Sequence, residues 1–321
     1  MRGKNIFILI TVLSLLLCVS FGSFASGKKT VIGFIPMTMN NEYFVTMVNA
    51  AKIEAKKQGV SLLVQAGERH GSADEQLRII EDMITREVDA ICVVPSSSTG
   101  LISAIKKAQK AGIPVVNLDT RIDPSAVKAE GMKPVPYIGT NNYDGAKMGG
   151  DYALKSLGIN GKEVAVLTGI SGQQNAADRR NGFVDATKGK VKVVAEQTAN
   201  WEVEQGYNVF QNILQANPNI GFVFASNDNM GLGAIRAIKA AGRKDIQVLG
   251  YDAISAALEA VEEGKMAGSV AQFPAEMGIQ GVQAALKMIN GESVPEITFT
   301  KTEVIDSKNV AEFKKYLGQF K

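Results

Sequence analysis

Two α/β lobes, each a parallel sheet flanked by helices, are what the sequence predicts. Short β-branched runs alternate with longer amphipathic ones along the chain, the pattern of βα units. The alternation breaks over Arg121 to Pro136, a stretch holding Pro124, Gly131, Pro134 and Pro136, and then starts afresh. The 296 residues that remain after an N-terminal leader allow one or two domains, because cores beyond roughly 250–300 residues tend to split.

The leader comes first. Arg2 and Lys4 are basic, Ile6 to Val19 is mostly apolar, and Ser23-Phe24-Ala25 is a small-x-small cleavage pattern. Residues 1–25 therefore read as a secretory signal peptide cleaved near Ala25. The apolar run is short for a membrane span, which needs about 20 residues. Lipid anchoring at Cys18 is disfavoured, since Leu17 is not the small residue that such attachment wants. The expected location is the periplasm or the extracytoplasmic face.

The first strand, Val31 to Ile35, is followed by a helix from about Asn41 to Gln58 that Gly59 ends. Ser61 to Gln65 is the second strand. Ser72, with Glu75 three residues on, predicts a capping box, and Leu77, Ile80 and Ile84 share one helical face. Ala90 to Val94 is a strand, Thr99 to Ala111 a helix stopped by Gly112, and Ile113 to Leu118 a strand. The Pro- and Gly-rich stretch from Arg121 to Pro136 reads as a crossover or an inserted hairpin.

In the second round, strands are predicted over Tyr137 to Thr140, Glu163 to Leu167, Val191 to Thr198, Gly221 to Ala225, Ile246 to Tyr251 and Ala267 to Gln272. Helices alternate with them over Asp144 to Leu157, Asn175 to Lys188, Val203 to Ala216, Met230 to Ala241 and Ile254 to Glu263. Pro274 opens a long helix to Asn290 that comes too late for the second sheet and suits a return to the first lobe. Ile297 to Ile305 reads as a final extended crossing.

The strand ends carry the functional signal. Asn41, Tyr43 and Phe44 follow the first strand and Asp119 the fourth. Gln174 and Arg179, Trp201, Asn227, Asp252 and Gln272 follow strands of the second half. Ligands of open parallel sheets bind beyond the carboxyl ends of the strands. Amides, carboxylates, one guanidinium and three aromatics there point to a polar, uncharged, ring-shaped small molecule. Each also has a plainer reading: Trp201 as core, Arg179 as a surface partner of Asp178 or Glu196, and Asn227 or Asp228 as a helix cap. One of that last pair is expected to cap while Asn227 reaches the ligand. His70, the only histidine, reads as a solvated loop residue, and the methionines as core, with Met37 placed to touch ligand.

These residues resemble the ribose-binding branch of the periplasmic sugar-binding proteins, the receptors of ATP-driven (ABC) importers. Asn40-Asn41-Glu42-Tyr43-Phe44 resembles that family's opening motif, and Asn117-Leu118-Asp119 its fourth strand end. The helix from Ala176 to Phe183 resembles the family's arginine helix, and Ala199-Asn200-Trp201 the aromatic after the next strand. Ala225 to Ala234, Gly250-Tyr251-Asp252 and Val270-Ala271-Gln272 complete seven motifs in order. The resemblance implies a type I periplasmic binding fold: two Rossmann-like lobes joined by a three-crossover hinge. The crossovers fall near Thr140, Gln272–Phe273 and Thr300. The lobes are then 28–140 plus 273–300, and 141–272 plus 301–321.

Two positions depart from the ribose pattern. Met37 stands where a small hydroxyl residue is usual, and Thr120 stands where an arginine follows the aspartate. The stretch after Asp119 resembles allose-type receptors, so a pentose, a hexose or a related polyol or inositol stays open. The implied partners are a monosaccharide and an ABC permease, with a chemoreceptor or sensor kinase as a further candidate. A monomer is expected.

Other classes fit poorly. Lys and Arg number 35 and Asp and Glu 32, and losing Arg2 and Lys4 with the leader leaves a net charge of +1, unlike the clustered basic charge of a nucleic-acid binder. One histidine and one remaining cysteine, Cys92, supply neither a Ser-His-Asp set nor a metal cluster. No enzyme activity, cofactor or metal is expected.

Overall fold

β1 (Val31–Ile35) is apolar along its length and buried on both faces, as a central strand of a helix-covered parallel sheet must be. In this computed structural model, which describes residues 29–321, it lies near the middle of a six-stranded sheet. The leader read over residues 1–25, with Cys18, lies outside the described residues. Parallel to β1 and to one another run β2 (Ser61–Val64), β3 (Ala90–Val93), β4 (Val115–Leu118) and β5 (Tyr137–Thr140). Between the strands run α1 (Glu42–Lys57), α2 (Ala73–Thr85), α3 (Ile102–Lys110) and the short α4 (Pro124–Ala129).

The second half repeats the plan. It holds α5 (Asn142–Ser156), β6 (Glu163–Thr168), α6 (Gln174–Thr187), β7 (Lys192–Thr198) and α7 (Val203–Ala216). It continues with β8 (Ile220–Ala225), α8 (Asp228–Ala240), β9 (Gln247–Asp252), α9 (Ser255–Glu262) and β10 (Gly268–Ala271). Then α10 (Pro274–Ile289) crosses back and packs on α1, and β11 (Ile297–Thr300) joins the first sheet beside β5. β12 (Glu303–Ile305) joins the second sheet antiparallel to β10, and α11 (Val310–Leu317) packs on α9. The sheet orders are β11-β5-β4-β3-β1-β2 and β12-β10-β9-β8-β6-β7. Each order reverses beside its first strand, and such switch points open the crevice where α/β sheets take ligands.

Three segments cross between the sheets, at 140–142, 271–274 and 300–303. The tail read as one extended crossing is therefore two short strands, one for each sheet. The stretch after Arg121 also departs from expectation, being neither a bare crossover nor a hairpin. Asp123 Oδ1 accepts from the backbone of Ser125 at 2.7 Å and Ala126 at 3.3 Å, and with Pro124 at the first helical position this starts α4. The predicted capping box at Ser72 does not form, because Glu75 Oε2 instead accepts from Glu68 N at 2.8 Å and braces the preceding loop.

Close helix contacts rest on glycine. A methyl group at Gly278 of α10 would lie 2.2 Å from the carbonyl oxygen of Met47 in α1. Gly278→Ala is expected to force these helices apart and cost about 1–3 kcal/mol in urea unfolding. A loss under about 0.5 kcal/mol would show that the contact yields freely. On the other side of the first sheet Ile80, Met83, Ile91 and Ile105 pack together. In the second lobe Phe183 stacks on Phe224 at 4.3 Å. Cys92 lies wholly buried in β3, where burial pushes its thiol up to about 12.

Candidate functional site

The loops after β1, β2 and β4 face those after β6, β7, β8, β9 and β10 across a cavity whose empty space, counting the part open to solvent, is about 300 Å³. The first lobe contributes Met37, Asn41, Tyr43, Phe44, His70 and Asp119, and the second Asn175, Arg179, Trp201, Asn227, Asp252 and Gln272.

Three of the wall residues sit in left-handed backbone at strand ends: Asp119 (φ 59°), Trp201 (φ 68°) and Asp252 (φ 107°). Such backbone is unfavourable for a side-chain-bearing residue and persists only when its surroundings enforce it. At Asp252 the enforcement is visible. Asp228 Oδ2 accepts from Ile254 N at 2.9 Å and its Oδ1 from the Ser269 hydroxyl at 2.7 Å, while Ser269 Oγ accepts from Ala253 N at 3.0 Å. Asp228 therefore clamps the turn that aims Asp252. Burial, then the neighbouring Asp252 charge, raises the Asp228 pKa well above the ordinary carboxyl value.

Arg179 is the hub of the second lobe's wall. Its Nε donates to Asn142 Oδ1 at 2.7 Å and its Nη1 to Ser226 O at 2.7 Å and Asp252 Oδ1 at 3.1 Å. The guanidinium lies 4.0 Å from the Tyr251 ring centre and 5.4 Å from that of Trp201. Gln272 Nε2 donates to the same Asp252 oxygen at 2.7 Å, and Gln272 Oε1 is buried with no hydrogen-bond partner among the described residues. A buried, unpaired acceptor beside a cavity is costly unless a ligand donor meets it. Burial raises the Asp252 carboxyl to about 6, the Arg179 charge opposing the rise. Burial also works against the Arg179 charge, but Asp252 and its neighbours more than offset it.

Across the cavity Tyr43 donates its hydroxyl to Asp119 Oδ1 at 2.8 Å, and Thr120 Oγ1 donates to Oδ2 at 3.3 Å. Burial raises the Asp119 pKa, with Arg179 opposing. Tyr137 fixes the turn by donating to Asp119 O at 2.7 Å. Trp201 Nε1 donates to Gln173 Oε1 at 2.7 Å, and its ring lies over Gly169, where a Cβ would come within 1.8 Å of Cζ2. Aromatic faces at Phe44 and Trp201, carboxylates and amides at the rim, and one guanidinium form a surface for a ring with hydroxyls around its edge.

A family profile described as "Periplasmic binding protein domain" matches residues 32–293. The chain belongs to this family. A D-ribose/D-allose-binding protein of Pseudomonas aeruginosa is 36% identical over 83% of this chain and 84% of its own length. A ribose import binding protein of Escherichia coli is 36% identical over 92% and 95%. The crystal structure of an ABC transporter periplasmic solute binding protein from Actinobacillus succinogenes with bound D-allose superimposes with a TM-score of 0.84. It is 38% identical to this chain and covers 88% of it and 100% of its own chain. Two lobes of mostly parallel sheets flanked by helices are thus the type I fold of the periplasmic binding protein family.

Ten of the twelve residues selected from sequence line the cavity of this family member: Met37, Asn41, Tyr43, Phe44, Asp119, Arg179, Trp201, Asn227, Asp252 and Gln272. Two do not. Gln174 is exposed and its amide turns outward to Asp178 Oδ1 at 2.8 Å. The reason is helical phase: residues 174 and 178 share the outer face of α6, while 175 and 179 share the inner one. Asn175 takes the wall position, and its spacing of four from Arg179 was the available signal. Thr120 is fully buried behind Asp119 and braces that carboxylate without lining the cavity.

Of the pair expected to supply the helix cap, Asn227 is the one that does, and it also lines the cavity. Its Oδ1 caps α8 by accepting from Met230 N at 2.9 Å, while Nδ2 donates to Trp201 O at 3.1 Å. His70 is the other correction. Instead of standing in solvent, its side chain is 6% exposed, tilts against Phe44 and places Nδ1 2.8 Å from Glu202 Oε1 of the other lobe. Among the described residues no group of three or more His, Cys, Asp or Glu is arranged to hold a metal, and no helix is long and apolar enough to cross a membrane.

Proposed function

We propose that this protein is an extracytoplasmic receptor that captures one monosaccharide of the ribose or allose class and delivers it to an ABC importer. The supporting observation is the set Arg179–Asp252–Gln272, which lines the cavity with Gln272 Oε1 unpaired among the described residues, an indole on one wall and Phe44 on the other. Hydroxyls of a neutral ring satisfy such groups, and charge-assisted bonds to Asp119, Asp252 and Arg179 supply the orientation. The names of the relatives favour the same ligand class.

The bodies that move are residues 28–140 with 273–300 and residues 141–272 with 301–321, acting in a monomer. Ligand contacts come from both, so a sugar favours the closed arrangement over the open one. The closed receptor then docks on a membrane permease, and a chemoreceptor is a second candidate partner. Export through the leader over residues 1–25 places this cycle outside the cytoplasm.

A thermal-shift and calorimetric panel of aldoses, ketoses, polyols and inositols tests the reading. Micromolar or tighter binding of one monosaccharide, worth about 8 kcal/mol, is the expected result. A response confined to amino acids or nucleosides would overturn it.

Acidity should act on the empty receptor. The Asp252 carboxyl sits at about 6 in the closed cleft against an ordinary value of 3.8. A pKa raised in the closed form stabilises closure fully below about pH 4, and the gain is lost as pH rises through about 6. Only the part of the rise that opening relieves is linked to closure, so closing the empty cleft costs more above about pH 6 than below it. Small-angle scattering at pH 7.5 and pH 5 should show a more compact empty receptor at the lower pH. A sugar that donates hydroxyls to the carboxylate should abolish the difference.

A further inference from the structure

Among the described residues, four residue pairs beside the cavity join the two lobes. Gln173 Nε2 donates to Ser96 O at 2.8 Å, the Gln174 backbone donates to Ser98 Oγ at 3.1 Å, and Ser255 N donates to Glu42 Oε2 at 2.9 Å. The fourth joins His70 Nδ1 to Glu202 Oε1 at 2.8 Å. Of the residues in these contacts, only His70 also lines the cavity.

The loop that carries His70 is built rigidly. Gly67 bridges to Thr38, and Asn40 Nδ2 donates to Glu68 O at 2.7 Å. Glu75 Oε2 holds Glu68 N, and Gly71 turns the chain at φ 79°. Glu202 immediately follows Trp201 and is the N-cap residue of α7. The His70 hydrogen bond holds the Glu202 carboxyl below its usual range. Glu202 is therefore a carboxylate that can only accept, so Nδ1 carries the proton. In the neutral ring Nε2 is then an acceptor, and it makes no hydrogen bond among the described residues.

We propose that His70 is a specificity-determining residue of the sugar site: anchored by Glu202 of the opposite lobe, its Nε2 accepts from one sugar hydroxyl. This rests on the sugar reading given above and deepens it. A sugar whose epimeric carbon turns that hydroxyl away leaves the acceptor unpaired inside a closed cleft, which is where hydrogen-bonding sites discriminate most strongly. Because Nδ1 meets Glu202 only across the cleft, the acceptor is oriented only once the lobes have shut. Selection therefore acts on the closed form and on the rate at which sugar leaves.

The test uses the mature chain and three variants, His70→Ala, His70→Gln and Glu202→Ala, with affinities and release rates for epimeric and deoxy aldoses and folding checked by thermal melting. In the parent one epimer should be preferred. His70→Ala should flatten the preference about tenfold or more, with the deoxy sugar least affected, and His70→Gln should restore part of it. Glu202→Ala should speed release about three- to tenfold, its carboxylate being partly exposed. An unchanged ranking in folded His70→Ala or His70→Gln, or unchanged release in Glu202→Ala, overturns the proposal while the parent still binds sugar. A parent that binds none of the panel overturns the sugar reading and this inference with it.

Discussion

Arg179→Met should abolish measurable sugar binding, a loss of at least a hundredfold, and lower stability by about 3–5 kcal/mol. The guanidinium holds Asn142, Ser226 O and Asp252 at once, and removing it strands a buried carboxylate. Breaking a buried ion pair from one side carries that cost because the remaining charge has neither water nor a partner. The Asp252 carboxyl, already raised by burial, would then titrate higher still, so the variant's stability should fall more steeply from pH 5 to pH 8 than the parent's. Calorimetric titration with the preferred sugar and denaturant unfolding at both pH values measure these effects. Binding within threefold of the parent would remove Arg179 from the centre of the site.

Gly169→Ala should do comparable damage through shape alone. The added methyl would meet the Trp201 indole at 1.8 Å, far inside contact distance, and Gly169 directly follows the last residue of β6. The indole must swing from the cavity wall, losing its bond to Gln173 and its place beside Arg179. Affinity should drop about tenfold or more. Trp201 is the only tryptophan, so its fluorescence reports the change directly: emission should shift to the red, and the response to sugar should shrink. Unchanged emission with unchanged affinity would mean that the wall yields without moving the ring.

The strand ends were legible because apolar runs of four to six residues stop at residues that seldom follow such runs by accident. Asp119 after Val115–Leu118 and Gln272 after Gly268–Ala271 are examples. Direction within a helix turn was less legible. Gln174 and Asn175 are adjacent amides at the start of α6, and only the phase set by Arg179 decides which one faces inward. His70 carries no local sign at all, lying among Glu68, Arg69 and Gly71 in what reads as a solvated loop. Its place is fixed from a distance, by Glu202 and Phe44. α4 was hidden for the opposite reason: the prolines and glycine around it drew attention from Asp123-Pro124, a helix start in its own right. The strain at Asp119, Trp201 and Asp252 is likewise invisible locally, since it is imposed by Tyr137, Asn227 and Asp228 from other segments.

The sealed thiol of Cys92 has a practical consequence. The thiolate is the species that attacks alkylating dyes, and a group held near 12 in the middle of β3 offers almost none of it at neutral pH. In protein lacking residues 1–25, a single cysteine introduced at exposed Arg69, beside the mouth of the cleft, would therefore take a maleimide fluorophore without competition. The native scaffold is in effect ready for conversion into a reagentless optical sensor for its own cargo.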